Sequence, residues 1–113
     1  MIKIYHNPRC SKSRQGLEIV ETSGKPFQVV KYLENIPSER ELEHIVKLLG
    51  IKPEALVRKN EKIWKELYKG KNLSDGEIIK AMISHPSLIE RPIVINGNKA
   101  TIGRPPELIG NIL

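Results

Sequence analysis

Two short apolar runs separated by a helical pattern open the chain and restrict its fold more than any other feature. Met1–Tyr5 predicts a buried strand, and the apolar spacing within Ser11–Ser23 predicts a helix that Gly24 ends. Phe27–Tyr32 predicts a second strand. A strand, a helix and a strand of these lengths form a right-handed βαβ unit, so the two strands should be parallel. The chain therefore begins as an α/β protein.

The middle of the chain, about residues 36–88, has the spacing of helices. Ser38–Glu41 and Ser74–Glu77 each place a serine three residues before a glutamate, which is the pattern of a capping box. Shorter helices are expected after Pro53 and around Trp64. We therefore expect a helical insertion in this part of the chain.

The last third returns to β structure. Ile93–Ile95 and Ala100–Ile102 flank a turn at Gly97, which predicts an antiparallel hairpin. Pro105 and Pro106 should start a final helix. The apolar side of that helix is expected to hold Leu108, Ile109 and Ile112. The element order predicts a mixed four-stranded sheet in a single domain, residues 1–113, with the helical insertion between its two halves.

The only cysteine, Cys10, falls where the first strand meets the first helix. Unpaired backbone N–H groups and the positive end of the helix dipole favour an anion there, and a thiolate is one. A buried structural cysteine is the common alternative. Asn7 and Pro8 mark a polar loop, however, which favours an activated nucleophile.

Several side chains near Cys10 are candidates to stabilise its thiolate. The cations on either side of it are Arg9, Lys12 and Arg14, and such neighbours lower the pKa of a cysteine. Ser13 lies one helical turn on, placed to donate a hydrogen bond to the sulfur. His6 could add positive charge or act as a proton donor, or it could be a half-buried loop residue.

Composition limits the classes of partner. The chain has 113 residues, with 19 Lys and Arg against 13 Asp and Glu, and its formal net charge of +6 suggests an anionic partner. Aromatic residues are only 4% of the chain and the lysines are spread along it, unlike the pattern of nucleic-acid binding. We expect a small oxyanion or an anionic peptide and no nucleic acid, although scattered lysines also serve solubility.

Membrane and metal functions are not expected. No apolar run approaches the length of a membrane span, and no basic and apolar leader opens the chain. One reactive cysteine suits a reducing compartment, so we expect a cytoplasmic protein. One cysteine and three scattered histidines give no metal-ligand spacing.

Arg91 and Arg104 each precede a proline, and they bracket the predicted hairpin. Proline holds the residue before it in extended backbone. The two ends of an antiparallel pair are neighbours, so both guanidiniums should project from one end of the sheet. Paired guanidiniums suit a tetrahedral oxyanion or a carboxylate. Arg40 and Arg58 cannot be placed from periodicity.

Four separated motifs occur in one order along nearly the whole chain. They are Ile4-Tyr5-His6-Asn7-Pro8-x-Cys10-x-x-Ser13-Arg14, Leu56-Val57-Arg58-Lys59-Asn60, Arg91-Pro92-Ile93-Val94 and Arg104-Pro105. In these motifs the chain resembles the glutaredoxin-dependent arsenate reductase family, which has a thioredoxin-like fold with a helical insertion.

The resemblance implies a role for each matched position. Cys10 would be the nucleophile that attacks arsenate, His6 matches a histidine near that cysteine, and Pro92 matches a proline whose cis peptide faces it. The positions that match oxyanion-binding arginines are Arg58, Arg91 and Arg104. No bound cofactor is implied, because glutathione is the co-substrate and glutaredoxin the protein partner that release arsenite from the adduct. A monomer is expected.

Ser11-Lys12 follows the cysteine where better-studied members carry Gly-Thr. Glycine lets N–H groups approach an anion closely, so Lys12 either compensates by its charge or marks a branch with another substrate. The alternatives are a glutathione-dependent thiol oxidoreductase and a non-catalytic Spx-like regulator that binds RNA polymerase. Such regulators often carry Cys-x-x-Cys, and Ser13 stands in place of the second thiol.

Overall fold

Four short strands form one mixed sheet in the computed structural model, which describes all of residues 1–113. The strands are β1 (Ile2–Tyr5), β2 (Phe27–Val30), β3 (Ile93–Asn96) and β4 (Lys99–Ile102), in the spatial order β2-β1-β3-β4. β1 pairs in parallel with β2 and antiparallel with β3, and β3 pairs antiparallel with β4. The predicted α/β class with a mixed four-stranded, thioredoxin-like sheet is confirmed.

The sheet belongs to a unit made of Met1–Asn35 and Arg91–Leu113. Helix α1 (Ser11–Thr22) and a 3₁₀ helix (Pro106–Ile112) pack against each other in this unit. The buried core consists of Ile2, Ile4, Val20, Val94 and Ile109. Gly24 follows α1 with a φ of +73°, a left-handed conformation that glycine adopts without steric cost.

Two elements of this unit differ from the prediction, β2 in where it ends and the final helix in its type. β2 stops at Val30, opposite the last residue of β1, and the carbonyl of Lys31 then accepts the N–H groups of a turn. The final helix is a 3₁₀ helix, in which every third residue lies on the same side. Ile109 is therefore buried, whereas Leu108, predicted on the apolar side, is 38% exposed.

The second unit, Ile36–Glu90, is helical. It contains α2 (Glu39–Leu49), α3 (Lys62–Leu67), α4 (Asp75–Ser84) and 3₁₀ turns at Pro53–Leu56 and Pro86–Leu88. α2 packs against α4. The capping box at Ser74 and Glu77 forms in both directions, at 3.2 and 3.0 Å. None of the helices in the chain is long and apolar enough to cross a membrane.

Candidate active site

A tight turn carries the chain from β1 into α1 and places Cys10 at the start of the helix. The carbonyl of Asn7 accepts the N–H of Cys10 at 3.0 Å, and the side-chain oxygen of Asn7 accepts the N–H of Arg9 at 3.0 Å. Asparagine favours such turns because its side chain bonds backbone two residues on. Cys10 is the extended N-cap residue of α1 and remains partly exposed to solvent.

The hydroxyl of Ser13 is used to hold this loop. Its Oγ lies 2.6 Å from Nδ1 of His6 and accepts the N–H of Asn7 at 2.9 Å, and all three residues are buried. The predicted hydrogen bond from this hydroxyl to the sulfur of Cys10 is therefore wrong. Ser13 is fully buried on the inner side of α1, so its hydroxyl is directed to the loop.

The pKa of His6 is lowered in this arrangement, which favours the neutral ring. Burial is the main cause that lowers its pKa, the positive charge of Lys31 lowers it further, and a hydrogen bond with the backbone of Ser13 only partly opposes both. A protonated His6 beside the thiolate, one of the sequence-based options, does not fit a side chain that is 4% exposed. The structure assigns His6 to the buried support of the loop.

Two arginines from the ends of the β3–β4 hairpin lie beside the thiol. Nη2 of Arg104 donates to Sγ of Cys10 at 3.4 Å, and Nε of Arg104 donates to the carbonyl of Arg91 at 2.8 Å. The guanidinium of Arg91 also interacts with the thiol. The hairpin ends meet because the N–H of Gly103 donates to the carbonyl of Pro92 at 2.8 Å.

The pKa of the Cys10 thiol is lowered from its usual value. Partial burial alone raises that pKa, but the backbone N–H of Ser13, the Arg91 guanidinium and the backbone N–H of Lys12 together outweigh it. Both N–H groups belong to the first turn of α1, whose positive end favours an anion. A thiol with a lowered pKa carries more of the nucleophilic thiolate at neutral pH.

Two glycines that were not predicted as site residues allow a close approach around Pro92. The Arg91–Pro92 and Arg104–Pro105 peptides are both cis. A Cβ on Gly16 would lie 2.7 Å from Pro92 and 2.9 Å from Ile109, and one on Gly103 would lie 2.9 and 2.8 Å from the same two side chains. The available signal was Gly16 inside a helix, where glycine costs about 1 kcal/mol relative to alanine.

The other predicted site residues are paired elsewhere. Nη1 of Arg14 donates to the carbonyl of Pro8 at 2.9 Å, so its guanidinium braces the loop. Arg58 belongs to the helical unit, where its Nη1 donates to Oε1 of Glu90 at 2.7 Å and its Nε lies 3.8 Å from Oε2 of Glu61.

The site places a thiol, which can act as a nucleophile, beside two guanidiniums, which can bind an anion. Cys10 supplies a sulfur of lowered pKa, and Arg91 and Arg104 supply forked donors suited to tetrahedral oxyanions. No three His, Cys, Asp or Glu side chains come together in a group that could hold a metal ion.

Known proteins match the chain from end to end. Residues 5–112 match the model of the ArsC family. An arsenate reductase from Haemophilus influenzae is 49% identical, over 97% of both chains, and an uncharacterised protein from Escherichia coli K12 is 44% identical, over 99% of this chain and 96% of its own. The solved arsenate reductase from Vibrio cholerae superimposes with a TM-score of 0.95 and 47% identity, over 99% of this chain and 97% of its own. The chain belongs to the ArsC family.

Proposed function

We propose that this protein reduces arsenate to arsenite, with the Cys10 thiolate as nucleophile. The observation that carries the proposal is the contact of 3.4 Å between Arg104 and the sulfur of Cys10, with Arg91 beside the same thiol. An oxyanion drawn to these guanidiniums would meet the thiolate directly. The names of the relatives from Haemophilus influenzae and Vibrio cholerae support arsenate as the oxyanion.

The first step is a substitution at arsenic. The sulfur of Cys10 attacks, an As–O bond breaks, and the oxygen leaves as water after taking up protons. The product is a covalent adduct of Cys10 with As(V). Arg91 and Arg104 would stabilise the negative charge on the remaining oxygens, as fixed cationic donors do in other acyl and phosphoryl transfers.

Reduction then needs two thiols from outside the chain, because the chain contains one cysteine. We propose glutathione as the thiol that attacks the adduct, and a glutaredoxin as the protein that completes the reduction. Arsenic gains two electrons and leaves as arsenite, the two external thiols become a disulfide, and Cys10 returns as a thiolate. Both reductants are cytoplasmic, which is the compartment we propose for this protein.

Arg58 is proposed as a third oxyanion-binding residue, and the support for that role is the family motif Leu56-Val57-Arg58-Lys59-Asn60. Lys12 is exposed on the first turn of α1, and its backbone N–H lowers the pKa of the Cys10 thiol. Compensation by the charge of Lys12 for the missing glycine and a branch with another substrate are both open to the arsenate assay below.

The test measures arsenite formed from arsenate with glutathione and glutaredoxin. Wild type should produce arsenite, Cys10→Ser should produce none, and Arg104→Ala should lose about 100-fold in kcat/KM because a charge-stabilising donor is removed. Arg40→Ala, an exposed arginine at the start of α2, is the matched control and should keep full activity. Full activity in Cys10→Ser would overturn the mechanism. No arsenite from wild type would redirect the assay to glutathionylated proteins.

A further inference from the structure

Arg58 is held in a close ion pair inside the helical unit. Its Nη1 donates to Oε1 of Glu90 at 2.7 Å, and the two side chains are only 21% and 25% exposed. A second carboxylate, that of Glu61, lies 3.8 Å from Nε. One guanidinium therefore faces two carboxylates, and its positive charge is more than offset locally.

The backbone sets up this pair. Val57 and Ile89 form an antiparallel bridge, and the N–H groups of Arg58 and Glu90 donate across it at 2.7 and 2.9 Å. Side chains alternate between the two faces of such a pairing, so Arg58 and Glu90 leave on the same face as diagonal neighbours. Their contact follows from the pairing of the two segments and not from a chance meeting of surface side chains.

A carboxylate and an oxyanion compete for the same guanidinium donors. We propose that Glu90 is an internal competitor that weakens the affinity of Arg58 for inorganic oxyanions and so sets how tightly this chain binds them. The inference rests on the proposed function, in which Arg58 binds the oxyanion. Glu90 occupies one terminal nitrogen, and its negative charge repels the incoming anion.

Inorganic phosphate reports this effect without reaction. It has the shape and charge of arsenate but forms no covalent bond with the thiol, so it is held by the donors alone. Because Glu90 acts on donors that both anions share, it weakens the binding of both and does not by itself change their ratio.

The probe is inorganic phosphate, and the readout is protection of Cys10 from alkylation by iodoacetamide. Glu90→Gln keeps the size and a hydrogen-bond acceptor but removes the charge, so the phosphate concentration for half-protection should fall about fivefold. Each variant is normalised to its own alkylation rate without phosphate. Glu54→Gln removes the same charge from a carboxylate that pairs with Lys59 at 3.2 Å, and it should leave half-protection unchanged.

Arg58→Gln tests the route of the effect. In that background, adding Glu90→Gln should give no gain in phosphate affinity. A gain that persists without Arg58, or a half-protection concentration in Glu90→Gln equal to or above that of wild type, overturns the inference. Arsenate turnover is measured separately. A shift in half-protection without arsenite formation would contradict the proposed reaction and support the role of Glu90. Arsenite formation without that shift would support the reaction and contradict the role of Glu90.

Discussion

Cys10 is activated by residues that are far from it in the sequence as well as by its own helix. Arg104, 94 residues away, contacts the sulfur, and Arg91 lies beside it. Arg14, four residues from Cys10, instead donates to the carbonyl of Pro8. Proximity in sequence is therefore a poor guide to which cations act on this thiol.

Replacing Arg91 by alanine should raise the pKa of the Cys10 thiol, because the guanidinium that favours the thiolate is removed. The rate of alkylation by iodoacetamide, measured against pH, reports that pKa. Arg40→Ala removes an exposed arginine from the other unit and should leave the profile where it is. Coincident profiles for Arg91→Ala and wild type would show that Arg91 does not act on the thiol.

Ser13→Ala distinguishes two roles of the serine hydroxyl: holding the loop before α1, and donating a hydrogen bond to the sulfur of Cys10. The buried N–H of Asn7 and the ring of His6 lose their partner, so the free energy of unfolding should drop by about 1–3 kcal/mol. The backbone N–H of residue 13 stays, so the thiol pKa should move less than in Arg91→Ala. Urea unfolding and the alkylation profile give the two measurements, with the exposed Ser11→Ala as control. A large rise in the pKa of the Cys10 thiol with unchanged stability would support the predicted hydrogen bond from the Ser13 hydroxyl to the sulfur.

At the scale of elements, the contact between α1 and the Pro106–Ile112 helix depends on two glycines, which have no side chain to keep the elements apart. Gly16 and Gly103 both lie against Pro92 and Ile109, where a Cβ would come within 2.7–2.9 Å. Packing at this distance fixes how α1, which begins at the thiol, lies against the residue that follows Arg91. These glycines therefore allow the close packing next to the Arg91–Pro92 peptide.

Gly16→Ala should destabilise the protein by about 1–3 kcal/mol, because overpacking outweighs the better helix propensity of alanine. Gly76→Ala is the matched control: it lies in the first turn of α4 with no atom within 4 Å of the added Cβ, and it should be neutral or stabilising. Guanidinium unfolding measures both. Relief of the loss by a second change, Ile109→Val, would trace it to this contact, and equal stability of both alanine variants would contradict the packing argument.

At the scale of the whole molecule, buried His6 should make stability depend on pH. Its pKa in the folded state is lowered, by burial first and then by Lys31, whereas in the unfolded chain it is about 6.5. As pH falls below about 6.5, His6 therefore binds a proton more readily in the unfolded state than in the folded state. The free energy of unfolding should be highest above that pH and should decline toward pH 5.

Urea unfolding at several pH values tests this dependence. His6→Asn should remove most of the decline between pH 7 and 5, whatever it does to the stability at neutral pH. His44→Gln replaces an exposed histidine on α2 and should keep the decline. The same slope in His6→Asn as in wild type would assign the pH dependence to other groups.

Local patterns in the sequence predicted the elements and the sheet, whereas much of the site depends on contacts between distant segments. The neighbourhood of Arg91 and Arg104 follows from two Arg-Pro pairs at the ends of a recognisable hairpin. The partner of the Ser13 hydroxyl cannot be predicted in this way, because helix spacing does not indicate which side chain of the preceding loop is buried. Glu90 is likewise 32 residues from Arg58, and only the bridge beside them brings the two together.

The distance between the thiol and its arginines also has a consequence for how the protein is made. Ribosomes add about 5–20 residues per second, so Arg104 follows Cys10 out of synthesis by about 5–20 s. During that time the nascent chain carries a cysteine without the guanidiniums that favour its thiolate. The thiol therefore gains the contribution of these guanidiniums only after both ends of the β3–β4 hairpin have been synthesised.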